Sequence, residues 1–375
     1  MADLGMTSFC LNMIVKNEAQ VIERCLASIR PWVQRWCIVD TGSNDGTQAI
    51  VRRCMAGVPG GLYERPWRNF AHNRNEALRL AMQVAAVQTR AQQPRGNYLL
   101  FIDADETLVM PSGFVWPALA ADGYRFDCHY DQMRYQRNAL VSTRLAWQWQ
   151  GVIHEYLDCA QPHAWDLLAG PHILVRHDGA RARDPQTYLR DVALLEQATR
   201  DEPNNSRYVF YLAQSLGDCG QLDAACNQYL KRAQMGGWEE ERWYAQFRAA
   251  QLAELLGQPT ALVQGGYLAA YQARPGRAEP LYELARYHRQ RREFDLAYLF
   301  AQKAAELPAT SDSLFVDASV CAWRALDEMV VASSYISTPS AQAEGRAGLQ
   351  KLLADNTYPD TERARIEANK TCFGL

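Results

Sequence analysis

The sequence predicts an α/β domain over residues 1–183 followed by an all-α domain over 184–375. Three observations carry that division. In the first half, short apolar runs end abruptly in polar or acidic loops and alternate with helical periodicity, the pattern of a parallel sheet with its loops at the carboxyl edge. After about Arg183 the Asp184-Pro185 pair marks a boundary, and helical spacing then takes over almost throughout. Within that second half, one register of small and apolar residues returns 72 residues later, or two periods of 36.

Phe9–Val15 reads as the first strand and runs into Lys16-Asn17-Glu18-Ala19. Val21, Ile22, Cys25, Leu26 and Ile29 follow at spacings of three and four, one face of a helix. Trp36–Val39 is the next strand. Its loop, Asp40–Thr47, is dense in turn formers and N-cap residues ahead of a helical Gln48–Arg53. The run Tyr98–Ile102 then ends in Asp103-Ala104-Asp105-Glu106. Carboxylates cannot stay unpaired inside an apolar strand, so the acidic residues are expected at its carboxyl end, in a crevice. Hard oxygen ligands there suit Mg²⁺ or Mn²⁺ in contact with phosphate; taken alone, the same two Asp also fit a solvated turn. Ala85–Gly96 reads as a helix end and a surface loop.

The segments Asn12–Ala19, Ile38–Thr47, Trp67–Ala77 and Leu99–Glu106, in that order and at these spacings, resemble family 2 glycosyltransferases of the GT-A fold, a Rossmann-like mixed sheet. The resemblance implies a nucleotide-sugar donor, commonly a UDP-sugar, lying across the strand ends. It implies that Val15, Asn17, Glu18, Asp40, Ser43, Arg74, Asp103 and Ala104 line that site, with Glu18 and Asp40 on the uridine and Asp40 facing the base. Asp103 and Asp105 become the sugar- and metal-binding pair, with Mn²⁺ or Mg²⁺ on Asp105. Such a cation offsets the charge that develops on a departing nucleoside diphosphate, and Arg74 can add a bidentate phosphate or ribose contact. Asn17 and Ser43 suit turn stabilisation as well as ligand binding, and in isolation Arg74 and Asn75 read as a solvated helix start.

Further on, Trp147–Glu155 resembles the W-x-G-x-x-H-E segment of the branch of these transferases that carries tetratricopeptide repeats. Trp149 and His154 are thereby placed with the sugar donor. An inverting transferase needs a carboxylate to take the acceptor's proton. Glu155 is the leading choice, because Asp105 and Glu106 lie close to the metal; orienting His154 is its alternative role. Ile173–Val175 is β-favouring, and His177 sits just past it, where the resemblance implies a third metal ligand. Neutral imidazole is a reasonable partner for carboxylates there, and His177 is preferred to His154 and His172.

In the second domain Tyr188–Arg200 carries apolar residues at Leu189, Val192, Leu195 and Ala198. Leu212, Ala213, Leu216, Gly220, Ala225 and Tyr229 fall at the offsets of a tetratricopeptide repeat, and Leu284, Ala285, His288, Arg292, Ala297 and Ala301 repeat them. A degenerate repeat lies between, around Trp243–Ala273, and a helical pattern over Ala341–Leu353 precedes a terminal cap. The segments Arg274–Ala285 and Trp323–Glu328 also resemble that transferase branch, though most of their residues read as packing and capping. Stacked helical pairs of this kind bind a protein, peptide or extended glycan.

A formal net charge of −3 gives no electrostatic case for nucleic acid or an anionic membrane. No apolar run is long enough to span a bilayer, and the short Phe9–Val15 run lacks a basic flank for a signal peptide. Ten cysteines without C-x-x-C pairs favour a reducing cytoplasm. The function expected is metal-dependent sugar transfer from a nucleotide-sugar to a glycan, peptide or small-molecule acceptor, with inversion implied by the resemblance. The alternative is a catalytically inactive scaffold that binds a partner through its helices. A nucleotidyltransferase on the same fold is disfavoured by the lack of an early Gly-rich, Lys/Arg-bearing phosphate loop.

Overall fold

The structure is a computed structural model that describes residues 7–86 and 96–375. Most of the Gln- and Ala-rich segment 85–96, expected to close a helix and form a loop, lies outside the described residues. The chain forms two compact units, residues 1–130 with 135–198, and residues 131–134 with 199–375.

The first unit runs β1 (Thr7–Val15), α1 (Ile22–Ile29), β2 (Arg35–Asp40), α2 (Thr47–Cys54), β3 (Gly60–Glu64), α3 (Phe70–Ala86) and β4 (Gly96–Phe101). It continues β5 (Thr107–Val109), β6 (Gly123–Tyr130), β7 (Met133–Ser142), β8 (Gln148–Gln150), β9 (Tyr156–Asp158), β10 (Trp165–Leu174), α4 (Ala180–Arg183) and α5 (Thr187–Asp201). The main sheet has the order β3-β2-β1-β4-β7-β6-β10-β5. Strands β3, β2, β1 and β4 are parallel; β7 joins β4 antiparallel, and β10 runs parallel to β6 and antiparallel to β5. The sheet is thus mixed, a parallel half extended by later strands.

Two-residue alternation explains why the central parallel strands β2, β1 and β4 are buried on both faces. Phe9, Leu11, Met13 and Val15 of β1 pack with Tyr98 and Leu100 of β4 and with Ile22, Leu26 and Ile29 of α1. Cys10 of β1 and Leu99 and Phe101 of β4 face the other way, onto Leu78, Ala81 and Ala85 of α3. The buried Asn12 is the polar exception, and its Nδ2 donates to the Ala77 carbonyl oxygen at 3.0 Å, tying β1 to α3. Register sets where the loops emerge. Val15 pairs with Asp40 and Asn12 with Phe101, so the loops after β1, β2 and β4 open at one edge of the sheet.

The second unit is built on α6 (Ser206–Asp218), α7 (Leu222–Gln234), α8 (Glu239–Leu255), α9 (Thr260–Ala273), α10 (Glu279–Gln290) and α11 (Phe294–Ala305). A π-helical stretch, Val320–Arg324, leads into α12 (Ala325–Ser333), followed by α13 (Pro339–Asp355), α14 (Asp360–Ala368) and α15 (Lys370–Phe373). Each of α6 to α13 packs on its neighbour in sequence. Ala213, Ala225, Ala285, Ala297 and Ala301 are fully buried, the small side chains that let paired helices approach closely. The turns after α6 and α10 share a left-handed residue at the same register, Gly220 (φ +75°) and Arg292 (φ +63°). Arg277 is a packing residue: buried, it pairs with Glu279 and Asp312 and lies 3.9 Å over the Trp243 ring. Among the described residues no helix is long and apolar enough to cross a membrane.

Candidate active site

The loops after β1 and β2 are knitted together by short side chains. The Asn17 N–H donates to Ser43 Oγ at 2.8 Å, the Asn44 N–H to Asn17 Oδ1 at 2.9 Å, and the Glu18 N–H to Thr47 Oγ1 at 2.9 Å. Asn17 is itself left-handed (φ +57°), a conformation that Asn tolerates. The buried Val15 takes the Thr41 N–H on its carbonyl oxygen. Asp40 closes this cradle. Its Oδ1 accepts the Gly42 and Ser43 N–H groups at 2.9 and 2.8 Å and Gln48 Nε2 at 3.2 Å. Its Oδ2 is buried with no hydrogen-bond partner. An orphaned buried acceptor is costly and calls for an explanation.

The loop after β4 carries the densest charge. Asp103 Oδ1 accepts from Arg74 of α3 at 2.9 Å, and Oδ2 faces Arg137 of β7 at 3.5 Å. Burial works against ionisation there, but the two guanidinium groups outweigh it and hold the carboxyl at about 2. Arg137 also pairs with the buried Glu106, and Glu106 Oε2 accepts the Asp103 N–H at 2.9 Å, which fixes the loop's shape. Ala104 is buried against the main core.

Asp105 and Glu18 meet the other side of the site. The Gly179 N–H donates to Asp105 Oδ2 at 3.3 Å, and the Ala180 N–H donates to both Glu18 oxygens at 3.2 and 3.1 Å. Burial, opposed by the Ala180 hydrogen bond and reinforced by the Asp105 charge, pushes Glu18 up to about 7. Burial and the neighbouring Asp103 charge raise Asp105 as well. His177, left-handed at φ +52°, stacks on Tyr130 with ring centroids 4.4 Å apart. Among the described residues no group of three His, Cys, Asp or Glu side chains stands arranged to hold a metal ion.

Trp149 and Glu155 both lie against Arg74. The Trp149 backbone exchanges two hydrogen bonds of 2.9 Å with the Asn75 side chain. Its indole is buried edge-on to Phe101, and the Arg74 guanidinium lies 4.9 Å from its ring centre. Glu155 Oε2 lies 3.8 Å from Arg74 Nε, while Oε1 is buried without a partner. Burial raises the Glu155 carboxyl against the pull of Arg74. His154 is exposed, with φ +51°. Asp178 is engaged elsewhere, held by both terminal nitrogens of Arg24.

The structure therefore brings Arg74, Asp103, Trp149 and Glu155 into one cluster, and Glu18 and Asp105 into a second one beside it. Arg137, Arg24 and the Gly179–Ala180 backbone were not singled out from the sequence. Arg137 sits in a β7 segment whose only local signal is an arginine among polar residues, and its partners lie more than 30 residues away.

The sequence model of "Glycosyl transferase family 2" matches residues 10–110, the span holding every loop at this sheet edge from Asn17 to Glu106. A TPR repeat-containing protein of Synechococcus elongatus is 28% identical over 333 residues, covering 81% of this chain and 76% of its own. Among solved structures, MamA aligns with a TM-score of 0.36 at 14% identity, over 48% of this chain and 92% of its own. The C-terminal part of a TPR repeat-containing protein from Cytophaga hutchinsonii gives 0.38 at 16%, over 50% and 67%. With the strand order, the loop residues and the paired-helix register, the chain is a mixed-sheet unit whose residues 10–110 match the glycosyl transferase family 2 model, followed by an all-helical tetratricopeptide-like region.

Proposed function

We propose that this protein moves a sugar from a UDP-sugar to an acceptor hydroxyl with inversion, the helical domain helping to place the acceptor. The observation that carries the proposal is the contrast between two carboxyls sharing Arg74: Asp103 is held at about 2, whereas Glu155 is raised by burial. Divergent environments for neighbouring carboxyls are how one site separates a permanently ionised group from one that exchanges a proton.

In this reading the uracil ring enters the cradle formed by Asn17, Ser43 and Asp40, and a ring N–H donates to the orphaned Asp40 Oδ2. Asp103, fixed by Arg74 and Arg137, accepts from the donor sugar's hydroxyls. Glu155 takes the proton of the acceptor hydroxyl as its oxygen attacks the anomeric carbon; the bond from that carbon to the diphosphate oxygen breaks, and UDP carries away the electron pair. The Trp149 ring backs Arg74, whose guanidinium lies 4.9 Å from its centre.

The family implies a divalent cation, and Asp105 is a hard oxygen donor whose carboxyl is raised by burial and by the Asp103 charge, a bias that a cation would relieve. Asp105 and His177 would hold Mn²⁺ or Mg²⁺ after rearranging from their present partners. When bound, the ion supplies positive charge against the departing diphosphate.

The test is UDP release from a panel of UDP-sugars with acceptor mixtures, in the presence of Mn²⁺ and of excess chelator. Release that depends on the metal and is lost in Asp105→Ala supports the proposal. Undiminished turnover in chelator removes the metal role. UDP binding without turnover of any donor favours the scaffold alternative.

A further inference from the structure

Residues 179–181 cross the candidate site in three steps. The Gly179 N–H meets Asp105 Oδ2 at 3.3 Å, the Ala180 N–H meets both Glu18 oxygens, and the Arg181 guanidinium lies 4.7 Å from the centre of the Phe70 ring. Phe70 and Arg74 stand one turn apart on the same face of α3, and Arg74 carries the ion pairs to Asp103 and Glu155. We propose that Arg181 binds the diphosphate of the nucleotide-sugar donor and holds it as the leaving group departs. The naming of a nucleotide donor rests on the transferase reading above; the binding of a diphosphate does not.

The guanidinium is held in place before any ligand arrives. Asp191 of α5, itself buried, puts both carboxylate oxygens on Arg181 Nη2 at 3.0 and 2.7 Å. The buried Thr187 donates its hydroxyl to the Arg181 carbonyl oxygen at 2.8 Å and pins the backbone. The Phe70 ring supports the guanidinium by a cation–π contact. Side-chain freedom already lost in this way need not be lost again on binding.

The pair with Asp191 leaves most of the guanidinium unused. An arginine kept only for a carboxylate does best with two parallel N–H···O bonds from two nitrogens. Here one nitrogen serves both oxygens, and Nε and Nη1 have no hydrogen-bond partner among the described residues. The side chain is 50% exposed, so an incoming anion can reach it. A planar fork with N–H groups to spare matches the oxygens of a phosphate.

Position selects the diphosphate. On one side, Ala180 is bound to Glu18, which the resemblance puts on the uridine. On the other is Glu155, whose carboxyl burial raises, while Arg74 and Arg181 both favour its ionised form. What lies between the nucleoside and the reacting carbon of a nucleotide-sugar is its diphosphate. When the bond to the anomeric carbon breaks, the electron pair stays on the diphosphate oxygen, and a guanidinium fixed there offsets the added charge. Arg74 and Arg137 are poorer choices for this part, since Asp103, Glu106 and Glu155 already answer their charges.

The experiment is calorimetry on the full chain in excess chelator, so that no metal ion contributes, with uridine, UDP and inorganic pyrophosphate as probes. In Arg181→Gln, affinity for UDP and for pyrophosphate is expected to fall about tenfold or more, with uridine affinity unchanged. Arg181→Lys keeps the charge without the fork and should recover part of the loss. Arg181→Gln strands the buried Asp191 carboxylate; adding Asp191→Asn removes that charge, so the test stands should the single variant fail to fold. The proposal is overturned if these variants bind UDP as the wild type does, or if uridine affinity falls by the same factor as UDP affinity. It is also overturned if the wild type binds neither UDP nor pyrophosphate. Pyrophosphate binding that depends on Arg181 in a chain that binds no UDP would leave this assignment standing and remove the UDP-sugar reading.

Discussion

Asp40 offers a sharp test, because its two oxygens have different jobs. Oδ1 holds the loop through Gly42, Ser43 and Gln48, whereas Oδ2 is buried and bare. Asp40→Asn can keep its carbonyl oxygen where Oδ1 stands and place the amide NH₂ at the bare position. The loop bonds survive, so stability should change by less than about 1 kcal/mol. At the ligand, an acceptor has become a donor facing a ring N–H. Hydrogen bonds to charged groups contribute about 1.5–3 kcal/mol, which predicts UDP binding weaker by about 10- to 150-fold. Asp40→Ala removes both jobs. Gly42 is exposed and Ser43 half-buried, so water replaces part of what is lost, and a destabilisation of about 2 kcal/mol is expected. Calorimetry with UDP and urea denaturation of both variants separate the two effects. Unchanged UDP affinity in Asp40→Asn, or equal stability in the two variants, would refute the division of labour.

Glu155→Gln should keep UDP affinity and lower transfer to a hydroxyl acceptor by about a hundredfold, the scale of a lost general base, and near-normal transfer would take Glu155 out of that role. Arg137→Met should destabilise the fold by about 3 kcal/mol, because it strands Glu106 in a buried position; adding Glu106→Gln should recover part of that loss in urea denaturation. Glu18 titrates at about 7 in the fold against an ordinary 4.5, so the folded chain holds a proton that the unfolded chain releases. Its contribution is present below about 4.5 and disappears as pH rises through about 7. Wild-type stability should therefore fall relative to Glu18→Gln across that window, and parallel pH profiles would contradict the shift.

Much of the site was readable because its loops follow strands. Phe9–Val15, Trp36–Val39 and Tyr98–Ile102 are apolar runs that must be buried, and each gives way to polar residues at the same edge. The helical register of Ala213, Ala225, Ala285 and Ala297 was equally local, since residues three and four apart share a face. Short strands without a clear apolar run, such as β3 with its two glycines and the three-residue β8 and β9, left no comparable signal. Trp149 shows a finer difference. The resemblance placed it with the sugar donor, and the structure buries its ring against Phe101 with Arg74 alongside.

By itself, the sequence determined which residues would stand at strand ends and which helices would pair, because two-residue and three-to-four-residue periodicities are properties of neighbouring positions. Only the tertiary structure decided how those residues are charged. Asp103 and Asp105 are two residues apart in one loop, yet Arg74 and Arg137 hold the first ionised, while the second is raised by burial and by the first. Glu18 takes its hydrogen bonds from Ala180, 162 residues along the chain. Coulombic and desolvation energies depend on distance and burial in space, and neither can be read from spacing along the chain.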